Sequence, residues 1–468
     1  VEVVEEPPPG TLGGGQASGD GPPLRYHTYE TLTADLQAIA ADHPTITRLT
    51  TIGQSVSGRE LWMLKISANP DVEEDEPEFL YVAAMHGDEV VGKELLYMLA
   101  DLLTDGYGND PRLTALIDET EIWILPSMNP DGTAAGRRYN DGFVDLNRDF
   151  PDQFVDPVNT VTGRAPETAA VMTWSLDRRI SLSANYHGGA LVANYPFDST
   201  VNGASVYSPS PDDDLFRSLA RTYADANPAM AVSNGHSSFN HGVCNGSDWY
   251  AINGGMQDWA WVWGGDADLT IEVSAIKWPA ESTLAGYWDD NVESMLSYLE
   301  RVHEGARGIV TDAVTGSPLA ASVHVAGNPY PTHADPDVGD WHRVMAPGTY
   351  DLEISAPGHV TRLLSGVVVK PGDAVRVDAF CCQEARQKEV ERRGAVDEGG
   401  RRPLRAPVRP DLVLNEPPLG GVAVLVVARV HVDGEGTEHL ARPVVDHLVD
   451  LDVLVPERVA PPALVPRP

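Results

Sequence analysis

The sequence predicts an α/β domain with a mixed central sheet flanked by helices, followed by a small all-β sandwich. Between about residues 26 and 302, apolar runs of strand length alternate with amphipathic helical patterns, which is typical of a parallel or mixed sheet covered on both faces. After Glu304 the chain changes to short strand-like runs separated by turn-forming residues. A chain of 468 residues also exceeds the usual size of one domain, so we expect two or three units.

An amphipathic helix opens the α/β domain, because Leu32, Leu36 and Ile39 recur at helical spacing and Pro44 marks the end of the pattern. Five apolar runs are then predicted as strands, at residues 61–67, 78–85, 121–128, 181–187 and 268–274. Helical patterns alternate with them at residues 90–103, 167–176, 215–226 and 287–302. This order predicts strands whose carboxyl ends gather at one edge of the sheet.

The all-β segment covers roughly residues 305–380. The pairs Pro347-Gly348, Pro357-Gly358 and Pro371-Gly372 recur at nearly regular spacing and separate short apolar runs, as in a small sandwich. We therefore divide the chain into a leader (1–24), the α/β domain (25–303), the sandwich (304–382) and a low-complexity tail (383–468).

The leader and the tail both differ in composition from the rest of the chain. Residues 1–24 are acidic and rich in proline and glycine, which predicts a flexible leader left after processing or truncation. The tail contains no aromatic residue, no isoleucine and no serine, so it is disordered, a weak strand-forming appendage, or the product of a wrong reading frame. We expect a secreted or periplasmic protein, although no signal peptide is visible.

The charge balance limits the class of partner. With 33 basic and 69 acidic side chains, the formal net charge is -36, which repels nucleic acid and anionic lipid. No apolar run approaches the ~20 residues that span a bilayer. The three cysteines, Cys244, Cys381 and Cys382, are too few for a disulfide framework and lack zinc-thiolate spacing. We expect a monomer without a transmembrane segment or a nucleic-acid partner.

Three residues are candidate metal ligands. His86 and Glu89 follow an apolar strand and precede a helix, so both side chains can face one point at the carboxyl edge of the sheet. His187 ends another buried strand and is followed by two glycines. A catalytic zinc takes three protein ligands and keeps an open position, which this set can supply. A hydrogen-bonded core histidine is the alternative for His187.

Further polar residues suggest catalysis and anion binding. Glu272 lies between apolar neighbours in a predicted strand, where a carboxylate is costly unless it is partnered or functional. The segment 129–132 (Asn-Pro-Asp-Gly) is predicted as a turn. Asn147 and Arg148 lie in a predicted loop and could bind a carboxylate, although solvation is the default for a lone arginine.

Six motifs occur in one order along the chain: His-x-x-Glu, Asn-Pro-Asp-Gly, Asp-Leu-Asn-Arg, Tyr-His-Gly-Gly, Tyr-x-x-x-Gly-Gly-Met-Gln-Asp-Trp and Ile-Glu-Val-Ser. In this order they resemble the zinc metallocarboxypeptidases, and within them the carboxypeptidase N/E subfamily with carboxypeptidases D, E, M and N. The resemblance runs from about Tyr26 to Val302. It implies a carboxypeptidase-like fold, and it identifies the sandwich as similar to the transthyretin-like domain that follows the catalytic domain in this subfamily.

The resemblance also implies a role for each matching residue. His86, Glu89 and His187 would hold one Zn²⁺ per catalytic domain, Glu272 would be the general base and acid, and Tyr250 the mobile tyrosine over the substrate. Asn147 and Arg148 would hold the terminal carboxylate. The arginine that stabilises the oxyanion matches Arg138, with the adjacent Arg137 left open.

The resemblance further implies a substrate preference. Asp198 and Gln257 match the positions that line the pocket for C-terminal Lys or Arg in the subfamily, where an acidic floor gives a basic side chain a charged partner. One departure is Asp149, where animal relatives usually carry Asn. The implied reaction is hydrolysis of the C-terminal residue of peptides or proteins by a zinc-bound water. A peptidase acting on cell-wall peptides and a catalytically inactive peptide-binding module are the alternatives.

Overall fold

The computed structural model describes residues 25–383. The predicted leader lies outside the described residues, as does the predicted tail apart from Gln383, so both remain predictions. Within the described residues, no helix combines the length and apolar character needed to cross a membrane.

An eight-stranded mixed sheet forms the centre of the first part of the chain. Its strands lie in the order β1-β2-β4-β3-β5-β8-β6-β7. Strands β4, β3, β5 and β8 are mutually parallel, whereas β1, β2 and β6 pair antiparallel with neighbours. The strands are β1 (Thr47–Gln54), β2 (Glu60–Ile66), β3 (Glu78–Ala83), β4 (Glu121–Leu125), β5 (Ile180–His187), β6 (Ala190–Tyr195), β7 (Val243–Asn245) and β8 (Ala267–Ser274).

Helices cover both faces of this sheet. They are α1 (Tyr29–Asp42), α2 (Val91–Gly106), α3 (Pro111–Asp118), α4 (Pro130–Ala135), α5 (Pro166–Leu176), α6 (Asp213–Ala226), α7 (Gly246–Trp249), α8 (Met256–Trp259) and α9 (Leu284–Glu300). Residues of β3 alternate between two apolar cores: Phe79 and Tyr81 belong to one, Leu80 and Val82 to the other. Side chains buried on both faces explain why the central strands are continuous apolar runs.

The last part of the described chain consists of two small sheets. One has the order β11-β10-β13-β14 and the other β12-β9-β15, with β16 also pairing with β9. Trp341 is fully buried in their shared core. The strands are β9 (Gly305–Asp312), β10 (Ser322–Val325), β11 (Thr332–His333), β12 (Asp340–Arg343), β13 (Gly348–Ser355), β14 (Arg362–Val369), β15 (Ala374–Arg376) and β16 (Ala379–Cys381). The predicted fold class is confirmed, whereas the domain boundaries and the resemblance to transthyretin remain predictions.

Arg343 links the small sheets to the α/β part. Its guanidinium lies 4.7 Å from the centroid of the Trp261 ring, donates to Tyr330 O at 2.9 Å and lies 3.4 Å from Asp212 Oδ2. A fully buried guanidinium is costly unless it is paired, so these contacts hold the two parts in one arrangement.

Local differences from the predicted elements have physical causes. β3 ends at Ala83, two residues earlier than predicted, because Ala84 takes a left-handed φ of 52°. The segment 129–132 was predicted as a turn, but Pro130 begins α4, and Asn129 caps it by accepting from Gly132 N at 2.8 Å. The strand β6 is not among the five strands predicted from the sequence.

Candidate active site

Nine of the ten predicted site residues line one cavity of about 180 Å³. The cavity opens at the carboxyl ends of β3, β5 and β8, which are neighbours in the sheet. Its lining includes His86, Glu89, Arg138, Asn147, Arg148, His187, Asp198, Tyr250 and Glu272. Gln257 is the exception. Parallel strands bring their carboxyl ends to one edge, and this explains how residues far apart in the chain share a site.

The three predicted metal ligands converge at the base of the cavity. His187 Nδ1 lies 2.8 Å from Glu89 Oε2 and 3.0 Å from His86 Nδ1. His86 Nδ1 lies 3.0 Å from the same carboxylate oxygen. All three side chains are buried, and their ligand atoms form a cluster able to hold a metal ion. A nitrogen–nitrogen–oxygen set with no sulfur suits zinc.

The neutral His187 ring in this cluster fits a metal ligand. Burial lowers the pKa of His187 to about 4, which keeps its ring neutral. His187 Nε2 is buried and has no hydrogen-bond partner among the described residues. A neutral imidazole carries a proton on one nitrogen and a lone pair on the other. Nδ1 faces the cluster, so its lone pair is available to a metal ion there. The residues present therefore fit a zinc ion.

Asp145 is a site residue that the sequence analysis missed, although it begins the Asp-Leu-Asn-Arg motif. Its Oδ1 lies 2.9 Å from His86 Nε2, which fixes the ring so that Nδ1 points to the cluster. Its Oδ2 accepts from Arg138 Nε at 2.9 Å. Burial acts to raise the pKa of Asp145, but the hydrogen bond and charge of His86 and the charge of Arg138 lower it overall. Asp145 thus orients two of the predicted residues.

The adjacent arginines 137 and 138 point in different directions. Arg138 lines the cavity, and its NH1 lies 3.4 Å from Glu89 Oε1. Arg137 pairs instead with Asp141, and its guanidinium lies 4.9 Å from the centroid of the Phe143 ring. Of the two, only Arg138 lines the cavity.

Glu272 lies next to His187, because these two residues are paired in the parallel register of β5 and β8. Its side chain is 8% exposed, and Oε2 is buried without a hydrogen-bond partner among residues 25–383. Burial raises the pKa of Glu272 to about 8, with repulsion from Glu89 as the second cause. A divalent cation in the His/Glu cluster would offset that repulsion and lower this pKa.

Asn147 and Arg148 lie in a short 3-10 turn, Leu146–Arg148, rather than in an irregular loop. Arg148 NH1 donates to Asn147 O at 2.7 Å, and within the described residues its guanidinium forms no ion pair. Asn147 Oδ1 accepts from Met256 N at 3.0 Å, and its amide nitrogen has no acceptor within residues 25–383. Both side chains therefore present unused donors to the cavity.

Asp198 forms the floor of one end of the cavity. Gln257 Nε2 donates to its Oδ1 at 2.7 Å, and Gln257 is itself fully buried. Gln257 was expected to line the cavity, but the structure places it behind Asp198, which it orients. A Cβ on Gly246 would collide with the Asp198 carboxylate, and one on Gly255 would come within 2.8 Å of it, so glycine is required to leave room. Burial raises the pKa of Asp198 to about 7.

Tyr250 lies at the mouth of the cavity. Its side chain is 44% exposed, its ring packs edge-on against Trp249, and its hydroxyl makes no hydrogen bond within the described residues. Because α7 ends at Trp249, Tyr250 lies just outside the helix. It can therefore change rotamer at low cost.

Lys277 lines the cavity and pairs with Asp88 at 3.1 Å and with Glu89 Oε1 at 3.5 Å, and the motif analysis gave no sign of it. Asp149, the departure noted in the sequence, accepts from Ala165 N at 2.7 Å. Ala165 is the N-cap residue of α5, so Asp149 anchors the start of that helix.

A family model described as zinc carboxypeptidase matches residues 32–294. Human carboxypeptidase D is 40% identical over 375 residues, which cover 76% of this chain and 27% of that protein. The chain thus spans about a quarter of that relative. Mouse carboxypeptidase M is 40% identical over 381 residues, covering 76% of this chain and 84% of the relative.

A solved structure shows the same fold. The crystal structure of thrombin activatable fibrinolysis inhibitor matches with a TM-score of 0.51 at 19% identity, over 60% of this chain and 75% of that one. The family match covers more than half of the chain, and carboxypeptidase M is matched over most of its length. The chain therefore belongs to the zinc carboxypeptidase family.

Proposed function

We propose that the chain is a metallocarboxypeptidase that removes the C-terminal residue of peptides or proteins and prefers C-terminal Lys or Arg. One observation carries the proposal: the His86, Glu89 and His187 cluster shares a small cavity with Arg148, which has no ion-pair partner among the described residues, and with the buried Asp198. A cation-binding centre, a free guanidinium and a carboxylate floor are the groups needed to bind and cut a basic C-terminal residue.

Arg148 and Asn147 bind the terminal carboxylate of the substrate. A guanidinium can contact both carboxylate oxygens, and the free amide of Asn147 adds a third hydrogen bond. Holding the terminus in this way places the last peptide bond beside Glu272 and Arg138. The reacting groups are then already oriented when the reaction begins, which lowers the entropic cost of reaching the transition state. This explains action at the chain end rather than within the chain.

Asp198 binds the side chain of the C-terminal residue. Gln257 fixes its carboxylate, and the glycines around it leave the cavity open for a long side chain. A Lys or Arg side chain that reaches Asp198 lowers its pKa and forms a charge-assisted hydrogen bond, whereas an apolar side chain leaves the buried carboxyl without a charged partner. The cost of that unpaired group gives the preference.

Glu272 moves protons during the reaction. It takes one from the attacking water and gives it to the leaving amine, which suits a carboxyl whose pKa is raised by burial. Arg138 donates to the oxygen of the scissile carbonyl as negative charge develops there. The Tyr250 side chain can rotate to cover the bound substrate and exclude water. Zinc held by His86, Glu89 and His187 supplies Lewis-acid polarisation of the carbonyl and activation of water when it is bound.

The proposal is tested with zinc-loaded protein and a peptide ending in Arg. We expect about one zinc per chain and release of the C-terminal Arg, measured by liquid chromatography, with no release from the same peptide amidated at its C-terminus. Dialysis against a chelator should abolish release, and added zinc should restore it. Equal cleavage of the free and amidated peptides would contradict the proposed role of Arg148.

Asp198→Asn tests the preference for basic residues. We expect kcat/KM for a peptide ending in Arg to fall about 10- to 100-fold, because a charge-assisted hydrogen bond is lost while Gln257 can still donate to the amide oxygen. The value for the same peptide ending in Phe should not fall. In the unmodified protein, the ratio of the two values should also drop as pH falls through about 7, where the Asp198 carboxyl becomes protonated.

Asp214→Asn is the matched control, since this carboxylate lies in the same part of the chain and is almost fully exposed. It should leave the Arg-to-Phe ratio unchanged. If Asp198→Asn also left that ratio unchanged, another group would have to determine the specificity.

A further inference from the structure

Three carboxylates meet at the edge of the central sheet opposite the candidate active site. Glu78 is the first residue of β3 and Glu121 the first residue of β4, and the two are paired in the parallel register. Glu73 reaches them from the loop that precedes β3. We name these residues the edge cluster. The candidate active site uses the carboxyl ends of the strands, so the edge cluster is a separate place in the fold.

The edge cluster is buried and incompletely satisfied. Glu78 is 3% exposed and Glu121 is 1% exposed. Glu78 Oε1 accepts from Arg179 N at 2.7 Å, but Glu78 Oε2 has no hydrogen-bond partner within residues 25–383. Native proteins seldom bury a carboxylate oxygen in this way, because the desolvation cost is not recovered. The orphaned oxygen indicates that something else contacts it.

The local positive charges do not balance the cluster. Lys65 Nζ lies 2.6 Å from Glu121 Oε1, and Arg178 NH1 lies 3.5 Å from Glu73 Oε2. Glu78 has no ion pair within the described residues. Arg178 also packs over the Trp123 ring at 5.0 Å. Burial, followed by repulsion from Glu121 and Glu73, raises the pKa of Glu78 to about 8.

The spacing of the oxygens fits a metal ion. One carboxylate oxygen from each of the three residues lies within 4.8 Å of one from each of the others. Ca²⁺–oxygen distances are roughly 2.3–2.6 Å, so two ligands of one ion are at most about 5 Å apart. Because all the ligand atoms are oxygens, the site does not favour zinc. The side chains come from a loop and two strands, and Ca²⁺ accepts such irregular coordination better than Mg²⁺ does.

We propose that Glu73, Glu78 and Glu121 form a structural Ca²⁺ site that holds the β2–β3 loop against the starts of β3 and β4. The ion offsets the uncompensated negative charge, while Lys65 remains paired with Glu121 and Arg179 N–H with Glu78. The site stabilises the sheet edge and takes no part in hydrolysis.

The test uses the full chain, zinc-loaded, with CaCl₂ as the probe at pH 8. Calorimetric titration should show one Ca²⁺ bound per chain, and the Tm should rise by about 3–4 °C at a hundredfold excess over Kd. MgCl₂ at the same concentration should shift the Tm less. If no Ca²⁺ binds, the proposal is wrong. A Tm that falls as pH rises from 5 to 8 would then show that the carboxylates share protons instead.

Two variants separate the site from general charge effects. Glu78→Gln keeps an oxygen for the Arg179 N–H but removes a ligand charge, so it should weaken Ca²⁺ binding at least tenfold. Glu74→Gln removes the same charge from the same loop outside the cluster and should bind Ca²⁺ as the unmodified protein does. Glu73→Gln should behave like Glu78→Gln. Unchanged Ca²⁺ affinity in both cluster variants would overturn the proposal.

Discussion

Glu272→Gln is expected to lower kcat for a peptide ending in Arg by about 10³- to 10⁴-fold. The amide cannot accept a proton from water or return one to the leaving amine, and both transfers are assigned to this side chain. Glu272 is not one of the three clustered metal-binding residues, so zinc content should stay at one per chain. KM should change little, because Arg148, Asn147 and Asp198 remain. Steady-state kinetics together with metal analysis measure these quantities.

Glu119→Gln provides the matched control, because this residue is exposed and lies outside the cavity. Its kcat should equal that of the unmodified protein. A Glu272→Gln variant that lost zinc together with activity would assign the residue to metal binding. A variant that kept zinc and full activity would mean that another group transfers the proton.

The strands were predictable from the sequence where their burial produces a recognisable pattern of apolar residues. Strands β3, β4, β5 and β8 are buried on both faces, so each appears as a continuous apolar run. β1 is a partly exposed edge strand with a mixed pattern of burial, and it is not among the strands predicted from the sequence. Edge strands carry less information because only one neighbour and often one face constrain them.

Site residues whose own side chains line the cavity were predictable from motifs. Residues that only position another side chain were harder to predict. His86, Glu89, His187 and Glu272 lie on or directly after apolar strands, where a polar residue stands out. Asp145 does not, because its contribution depends on the distance between its carboxylate and the His86 ring, which no local pattern encodes. The edge cluster also has no motif, since it forms only when two parallel strands begin side by side.

Gln257 lies in a sequence motif but does not line the cavity. Its place in a motif predicted contact with the substrate, but side-chain direction depends on α8, where it is fully buried and donates to Asp198 and accepts from Thr270 N at 3.0 Å. Under the proposed function, Gln257 acts on specificity through Asp198. A position in a motif reliably indicates that a residue belongs to the site. It is a weaker guide to which atoms that residue contacts.

Arg138→Gln is expected to lower kcat/KM about 10²- to 10³-fold, the usual effect of removing a donor to a developing oxyanion. The cause is geometric: Arg138 lines the cavity beside Glu89, Asp145 accepts from its Nε, and its NH2 makes no hydrogen bond within the described residues. The loss should appear mainly in kcat, because the charge on the carbonyl oxygen develops in the transition state and not in the bound substrate.

Arg137→Gln is the control for this prediction, because it makes the same change one residue away, on a side chain that pairs with Asp141 and packs on Phe143. It should retain at least half of the kcat/KM, allowing for the loss of a partly exposed ion pair. If Arg137→Gln showed the large loss and Arg138→Gln did not, the register of the motif would be shifted by one residue. Because both side chains carry the same charge and sit on the same segment, a long-range electrostatic effect would lower both variants equally, and only a direct contact with the substrate would separate them.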